Sequence, residues 1–310
     1  MQTIEKQAYI IVGPTASGKS EFAMNIAQKL SSAIINADSM QVYMGLEILS
    51  SSTSLEDKKN IPHLLYNFFT TSESYSLGKY ISDLDSSLGG FSGIPVIVGG
   101  TGMYINAALN GMIQIPEITK DTKNIIKQEL EKSGVSGLFK LLEKLDNLSA
   151  DNLKPYDKQR ITRALEVCLQ TGKSILSFRE NISDPILKNY KLNIFYLKPE
   201  REFLYNLINN RFKKFVEMGA IEEVRKLKDK HQNFSTSAFK AIGSEEFSKF
   251  LDGEISLEDA INLAQQKTRN YAKRQYTWFN NQLQRQDIKT IEYSSMSEFK
   301  DKTKFFINLI

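Results

Sequence analysis

The chain has 310 residues, of which 41% are hydrophobic and 25% are charged, and this composition is typical of a globular protein. No apolar run reaches the roughly 18 residues of a membrane span, and the polar N-terminus leads directly into a strand. We therefore expect a cytoplasmic protein with no signal peptide and no membrane contact. The net charge of +4 does not by itself identify a nucleic-acid partner, and one cysteine with two histidines excludes an internal disulfide and leaves too few ligands for a usual zinc site.

Three short apolar runs near the N-terminus are predicted strands, separated by helical patterns and glycine turns. They are AYIIV (residues 8–12), AIINAD (33–38) and IPVIVGG (94–100). This alternation predicts an open parallel α/β sheet, in which ligands bind beyond the carboxyl ends of the strands. Gly13, Asp38 and Thr101 lie at the carboxyl ends of the three runs, so we expect them to converge on one pocket.

The middle of the chain changes character, since residues 112–190 are helical and charge-rich without a clear buried strand. LNIFYL (192–197) then returns to a strand pattern and is expected to rejoin the sheet. The predicted organisation is a P-loop α/β catalytic core with C-terminal helices, formed by residues 1–111 and 191–310, interrupted by a helical insertion over 112–190. Within the core, Leu257 to Phe279 contains no Pro or Gly and is predicted to be one long helix.

The segment GPTASGKS (13–20) matches the phosphate-loop pattern G-x-x-x-x-G-K-[ST] and lies between a predicted strand and a predicted helix. In such a loop the backbone N–H groups and the helix N-terminus face phosphate oxygens, the lysine adds a charge, and the serine hydroxyl suits magnesium. A pyrophosphate-type ligand is therefore predicted, with Ser20 as magnesium ligand. The predicted binding residues are Gly13, Pro14, Thr15, Ala16, Ser17, Gly18, Lys19 and Ser20.

The phosphate loop alone leaves the type of reaction open. A nucleoside triphosphatase usually has a strand ending in a magnesium-binding Asp, but IPVIVGG ends in glycine and the apolar run NIFYL (193–197) is followed by Lys198 and Pro199. This favours a diphosphate that departs as a leaving group. A small-molecule kinase that uses ATP is the alternative, and a non-catalytic RNA-binding protein with a vestigial loop is a second one, which the intact loop and Asp38 argue against.

A basic segment near the C-terminus, QQKTRNYAKRQYTWFNNQLQR, carries cations and aromatics without one acidic residue. It fits either a helix with core-facing aromatics and solvated cations or a nucleic-acid contact. The lone cysteine, Cys168, lies in a helical pattern and is expected to be a small buried apolar residue.

Six segments in order resemble the tRNA dimethylallyltransferases, also called tRNA isopentenyltransferases. They are GPTASGKS (13–20), DSMQVY (38–43), PVIVGGTGMYINAALNG (95–111), DKQRITRALEVCLQTGK (157–173), RFKKFVEMGAIEEV (211–224) and YAKRQYTWF (271–279). The chain departs from the family at PHLLYN (62–67), where Pro-His-His-Leu-Ile-Asp is usual, and at Ser244, where tyrosine is usual. We therefore assign no role to Leu64 or Asn67 and no RNA contact to Ser244.

The resemblance implies transfer of a dimethylallyl group from dimethylallyl diphosphate to N6 of adenosine 37, next to the anticodon of tRNA. Lys19 and magnesium would stabilise the departing diphosphate, with Arg211 as a further cation unless it forms a helical salt bridge. Asp38 is the predicted base for the N6 proton, and Thr101 is predicted to orient the adenosine or its phosphate unless it only caps a helix.

An adenine in a stacked anticodon loop has to be extracted before an enclosed site can reach it. This suits a two-part architecture, in which the α/β core carries the chemistry and the helical insertion (112–190) grips the tRNA stem-loop. Arg160 and Arg163 share a helix face, although pairing with Asp157 or Glu166 would account for them equally well. The chain is expected to act as a monomer on the anticodon stem-loop. The predicted RNA-binding residues are Asp38, Ser39, Met40, Gln41 and Thr101, then Gln159, Arg160, Ile161, Thr162 and Arg163, and finally Lys273 and Arg274.

Overall fold

The computed structural model of the chain describes residues 6–53, 55–231 and 236–310. The polar N-terminus, where no signal peptide is expected, lies mostly outside these ranges. Across the described ranges, no helix has both the length and the apolar character that crossing a membrane requires.

Six described strands form one sheet: β1 (Gln7–Val12), β2 (Ile34–Asn36), β3 (His63–Leu64), β4 (Val96–Gly99), β5 (Lys191–Pro199) and β6 (Ile288–Tyr293). Their order is β3-β2-β4-β1-β5-β6, and every neighbouring pair is parallel. The predicted parallel α/β sheet is therefore confirmed, and LNIFYL lies in β5 beside β1, as expected. The edge strands β3 and β6 were not predicted.

The described helices alternate with the first strands and then dominate the chain. In chain order they are α1 (Lys19–Lys29), α2 (Leu55–Asn60), α3 (Leu77–Gly89), α4 (Gly102–Asn110), α5 (Lys120–Leu145), α6 (Asn147–Ala150), α7 (Lys158–Thr171), α8 (Arg201–Glu217), α9 (Ala220–Lys230), α10 (Ser244–Leu251), α11 (Leu257–Gln282) and α12 (Met296–Asn308), with short 3₁₀ helices at Ile175–Phe178 and Ser237–Lys240. The long helix predicted from Leu257 to Phe279 is confirmed as α11.

Both faces of the sheet are covered, which explains why β1 reads as a continuous apolar run. Successive side chains of a strand point to opposite faces. Ile10 and Val12 accordingly join the core formed with α3, α4 and α8–α11, whereas Tyr9 and Ile11 join the core formed with α1 and α12.

The chain divides into two compact units, which we call unit 1 and unit 2. Unit 1 consists of the chain up to Leu109 together with Ile186–Ile310, and unit 2 consists of Asn110–Pro185. The predicted insertion, residues 112–190, is nearly coextensive with unit 2. The strands on either side of this interruption, β4 and β5, both pair with β1, so unit 1 continues as one sheet across it.

Unit 2 has a hydrophobic core of its own, in which α5 packs against α6 and α7 around Leu138, Leu142 and Ile161. The helix α5 is kinked at Gly134, whose φ of 66° and ψ of −172° are not helical. Cys168 is half-buried, with its Sγ 3.5 Å from Leu145 O, which corrects the expectation of a buried side chain.

Candidate functional site

The phosphate loop connects the end of β1 to the start of α1, as the pattern predicts. Gly18 caps α1 with a left-handed φ of 76°, and a Cβ at this position would lie 2.8 Å from the Phe299 ring. Glycine is therefore required there by both conformation and space. The Tyr293 hydroxyl donates a hydrogen bond to Ser17 O and ties the loop to β6.

Lys19 is the first residue of α1, and its Nζ donates to Pro14 O at 2.6 Å. Burial lowers the pKa of Lys19 to about 8; the nearby Asp38 carboxylate opposes this shift and the Arg211 cation adds to it. The loop thus presents an ammonium group whose charge depends on pH near neutrality.

Arg211 reaches the phosphate loop from α8. Its Nη2 donates to Thr15 Oγ1 at 2.7 Å, and its guanidinium carbon lies 5.4 Å from the centre of the Phe215 ring. Burial lowers the pKa of Arg211 to about 10, with Asp38 opposing the shift. The guanidinium is therefore directed to the loop rather than to an ion pair along its own helix.

Asp38 follows β2 and lines the same cavity as Lys19, Ser20 and Arg211. Its backbone N–H donates to Asn36 Oδ1 at 2.7 Å, and its Oδ1 accepts from Met40 N at 2.9 Å. The carboxylate is thus oriented through one of its two oxygens. The cavity also contains Gln41, Ser50, Ser51, Tyr66, Val98 and Gly99 among its lining residues.

Thr101 lies between β4 and α4, and its hydroxyl connects the ends of β2 and β4. Its Oγ1 accepts from Ser39 N at 2.9 Å and shares a hydrogen bond with the Tyr271 hydroxyl. The helix start is supported by the backbone, since Thr101 O accepts from Ile105 N at 3.3 Å. The side chain is therefore engaged beside Asp38, not in capping α4.

The segment after Asp38 is held by contacts within unit 1. Gln41 Nε2 donates to Ser50 O and Ser51 O, both at 3.0 Å. Glu223 accepts from Ile48 N at 2.8 Å and from Leu49 N at 3.0 Å. RNA contacts at Ser39, Met40 and Gln41 stay a prediction, and part of the Gln41 amide is already used inside the protein.

The two departures from the family pattern are accommodated internally. Asn67 takes part in hydrogen bonds with Ser52, Lys58 and Tyr43 O at 2.5, 3.2 and 3.2 Å. Ser244 is fully buried at the start of α10, so its side chain is not on the surface.

The predicted RNA-binding residues of unit 2 lie at the start of α7, where Asp157 caps the helix by accepting from Arg160 N. Gln159, Arg160 and Arg163 are exposed, and the two arginines form surface ion pairs with Asp157 and Glu166 at 3.5 and 3.4 Å. Ile161 is fully buried in the core of unit 2. Its side chain is a packing residue, which corrects the predicted RNA contact at that position.

The remaining predicted positions differ in exposure. Thr162, next to Ile161, is half-buried, and its hydroxyl oxygen is enclosed. Lys273 and Arg274 are exposed on α11, with Arg274 stacked 5.7 Å from the centre of the Tyr271 ring. The exposed arginines and Lys273 remain available to an RNA backbone.

Two side chains of α11 reach the site and were not predicted. Burial, and next the Asp38 carboxylate, hold the pKa of Tyr271 above its ordinary value, and Gln275 accepts a hydrogen bond from Thr15 N in the phosphate loop. Both lie in the motif YAKRQYTWF, four residues apart and therefore on one helix face. This spacing indicates a shared helix face, but it does not indicate what that face contacts.

The cavity offers oxygen ligands for a magnesium ion. Ser20 is exposed at the start of α1, and the Asp38 carboxylate lines the same cavity. Within the described ranges, no group of three or more His, Cys, Asp or Glu residues could enclose a metal. A hydroxyl and one carboxylate fit magnesium, which keeps several waters and takes further ligands from phosphates.

Comparisons with known proteins place the chain in one family. The family model described as IPP transferase matches residues 41–282, and that described as isopentenyl transferase matches residues 6–61. The curated tRNA dimethylallyltransferase of Rickettsia felis is 38% identical over 95% of this chain and 96% of its own length. That of Rickettsia conorii is 39% identical over 97% of this chain and 83% of its own length.

Solved structures give the same result. The full-length tRNA isopentenylpyrophosphate transferase of Bacillus halodurans superposes with a TM-score of 0.66 at 31% identity, covering 98% of this chain and 95% of that one. A eukaryotic dimethylallyltransferase acting on tRNA superposes with a TM-score of 0.80 at 25% identity, covering 97% of this chain and 77% of that one.

Proposed function

The chain belongs to the family of tRNA dimethylallyltransferases, and from that membership we propose how its residues carry out the reaction. It is a prenyltransferase, which transfers a dimethylallyl group from dimethylallyl diphosphate to N6 of adenosine 37 in tRNA and releases diphosphate. One observation carries the proposal: Lys19, Arg211 and Asp38 line one cavity at the carboxyl ends of the strands.

The phosphate loop and two cations bind the leaving group. Breaking the bond between C1 of the dimethylallyl group and the diphosphate oxygen leaves the electron pair on the diphosphate. Lys19 and Arg211 counter this charge from fixed positions, and so do the loop N–H groups. Because both side chains are held before the reaction, little reorganisation is needed as charge develops.

Asp38 serves the other reactant. The lone pair of adenosine N6 is delocalised into the ring, so N6 attacks C1 effectively only when its proton is removed as the new bond forms. The Asp38 carboxylate, held through Met40 N, accepts this proton. Thr101, fixed by Ser39 N and Tyr271, orients the acceptor beside it.

Magnesium fits the Ser20 hydroxyl, and when bound there it would neutralise charge on the diphosphate. Ser20 would supply one ligand at the start of α1, and the Asp38 carboxylate lines the same cavity. The chain's own contribution is to fix both oxygens on rigid element ends.

RNA binding involves exposed cations outside the cavity. Arg160 and Arg163 of α7, together with Lys273 and Arg274 of α11, are available for phosphate contacts, which position an RNA without reading its sequence. We propose that the protein acts in the cytoplasm on the anticodon stem-loop, and as a monomer, because one chain carries both the diphosphate-binding residues and the base.

The test is transfer of radiolabel from dimethylallyl diphosphate to an unmodified anticodon stem-loop in the presence of magnesium. Asp38→Asn keeps the shape of the side chain but removes the base, so kcat is expected to fall by about 100- to 10,000-fold. Asp287→Asn, which alters an exposed carboxylate paired with Arg285, is the matched control and should keep wild-type activity.

Equal labelling by wild type and Asp38→Asn would contradict the role of Asp38 while leaving the reaction intact. Absence of labelling by wild type together with rapid ATP turnover would instead support a phosphotransferase.

A further inference from the structure

One face of α11 contacts the loop Gly100–Gly102 at three successive residues. Tyr271 shares a hydrogen bond with Thr101, and Gln275 Nε2 donates to Gly100 O at 2.8 Å. Trp278 packs on Gly102 so closely that a Cβ there would lie 2.3 Å from its ring. These three side chains recur every three or four residues, so a single helix face holds the loop that follows β4.

Gln275 also reaches the phosphate loop. Its Oε1 accepts from Thr15 N at 2.8 Å, while its Nε2 bonds Gly100 O, and the residue is only 5% exposed. A neutral amide presents an acceptor oxygen and a donor NH₂ group in a single plane. The two partners, an N–H group and a carbonyl, therefore use both ends of the Gln275 amide and determine its orientation.

This amide completes a chain of hydrogen bonds between the two sides of the cavity. Arg211 Nη2 donates to Thr15 Oγ1, and Thr15 N donates to Gln275, which donates to Gly100 O. The next residue, Thr101, accepts from the backbone of Ser39 beside Asp38. The cation for the leaving group is thus linked to the residues that face the acceptor.

We propose that Gln275 is a positioning residue for the transfer reaction, holding the phosphate loop and the Gly100–Thr101 loop at a fixed separation. This inference rests on the proposed function. Attack on C1 requires the nucleophile and the leaving group at a defined distance and direction, and a misplacement of about 1 Å costs on the order of 100-fold in rate. Gln275 touches neither reactant and acts through Thr15 and Gly100.

The substitution Gln275→Glu separates positioning from packing. Glutamate has the same shape and still accepts from Thr15 N, but as a carboxylate it turns a second acceptor towards Gly100 O. Protonation converts that oxygen into a donor and restores the lost bond. Activity relative to wild type is therefore expected to rise as pH falls through the pKa of the introduced carboxyl.

Gln265→Glu is the matched control. Gln265 lies on the same helix, is 8% exposed, and donates its Nε2 to a backbone carbonyl, Asn209 O, at 3.0 Å. A buried carboxylate at this position should lower the free energy of unfolding by a similar amount, but it contacts neither loop of the site.

The experiment measures kcat and KM for label transfer between about pH 5 and 8. For Gln275→Glu we expect kcat to be about 10- to 100-fold below that of wild type at about pH 8, and the difference should become smaller towards about pH 5. The ratio of the kcat of Gln265→Glu to that of wild type should be the same at every pH. If Gln275→Glu does not fold, Gln275→Asn, one methylene too short to span both loops, should lose kcat while its Kd for inorganic pyrophosphate, measured by calorimetry, stays near wild type.

The outcomes are distinct. If wild type labels tRNA and the kcat of Gln275→Glu depends on pH in the same way as that of Gln265→Glu, the positioning role is overturned. The proposed function is then unaffected. A loss of kcat in Gln275→Asn that matches its loss of pyrophosphate binding overturns it as well. Wild type that transfers no label overturns the proposed function and this inference together.

Discussion

Lys19 carries a charge that changes within the pH range in which the enzyme can be assayed. Burial lowers its pKa from 10.5 to about 8, so the ammonium form of the free protein prevails below that pH and is lost above it. In the proposed mechanism the diphosphate binds this cation. We expect kcat/KM for dimethylallyl diphosphate, at saturating tRNA, to fall above about pH 8 by up to about tenfold per pH unit.

Lys19→Arg provides the control for this pH dependence. Its guanidinium stays charged throughout, so the decline near pH 8 should disappear even where the absolute activity is lower. An unchanged inflection in Lys19→Arg would assign the titration to another group.

The positions of some site residues could be predicted because they follow from local sequence. Lys19 belongs to a contiguous loop pattern, and Asp38 and Thr101 directly follow apolar strands. Gln275 could not be predicted in this way, because its partner Thr15 lies 260 positions away and only tertiary packing brings the two together. Ile161 shows the opposite error, since a motif position was taken for a contact although the helix period places it in the core.

The packing of α11 against the start of α4 depends on the absence of a side chain at Gly102. An alanine there would place its Cβ 2.3 Å from the Trp278 ring, so either the helix or the ring has to move. We expect Gly102→Ala to lower the free energy of unfolding by about 1–3 kcal/mol. Because Trp278 is the single tryptophan of the chain, urea unfolding followed by its fluorescence measures this directly, and its emission should shift to the red.

Gly89→Ala is the companion variant for that measurement. Gly89 ends α3 with nothing within 4 Å of an added Cβ, so alanine there should be neutral or stabilise by up to about 1 kcal/mol. Equal stability and equal emission for the two variants would refute the close packing of Trp278 on Gly102.

The elements that could be predicted are those whose own sequence carries a clear helix or strand pattern. The buried strands β1 and β4 are continuous apolar runs, and α11 is long and free of Pro and Gly. The edge strands lack this signal: β3 has two half-buried residues, and half of the residues of β6 are exposed. An edge strand is identified by its neighbour in the sheet, and that neighbour is not encoded locally.

The division of the molecule into two units is visible in the sequence because each unit buries a separate apolar set. Ile126, Leu138 and Leu142 pack with α7 in unit 2, while the strands on both sides of the interruption pair with β1 in unit 1. Substitutions in unit 2 can therefore leave the diphosphate-binding residues intact. The two substrates of the enzyme should respond to different sets of variants.

The double variant Arg160→Ala/Arg163→Ala tests this separation. The two side chains are 75% and 44% exposed and form only surface ion pairs, which contribute little to stability, so the protein should fold normally. If both arginines contact RNA phosphates, KM for tRNA should rise, and the slope of log affinity against log salt should become shallower by about 2. KM for dimethylallyl diphosphate should not change. Arg225→Ala is the control, because it removes from α9 of unit 1 an arginine of similar exposure that pairs with a glutamate three residues away. If the salt slope of the double variant changes no more than that of Arg225→Ala, the RNA contact of the enzyme lies elsewhere.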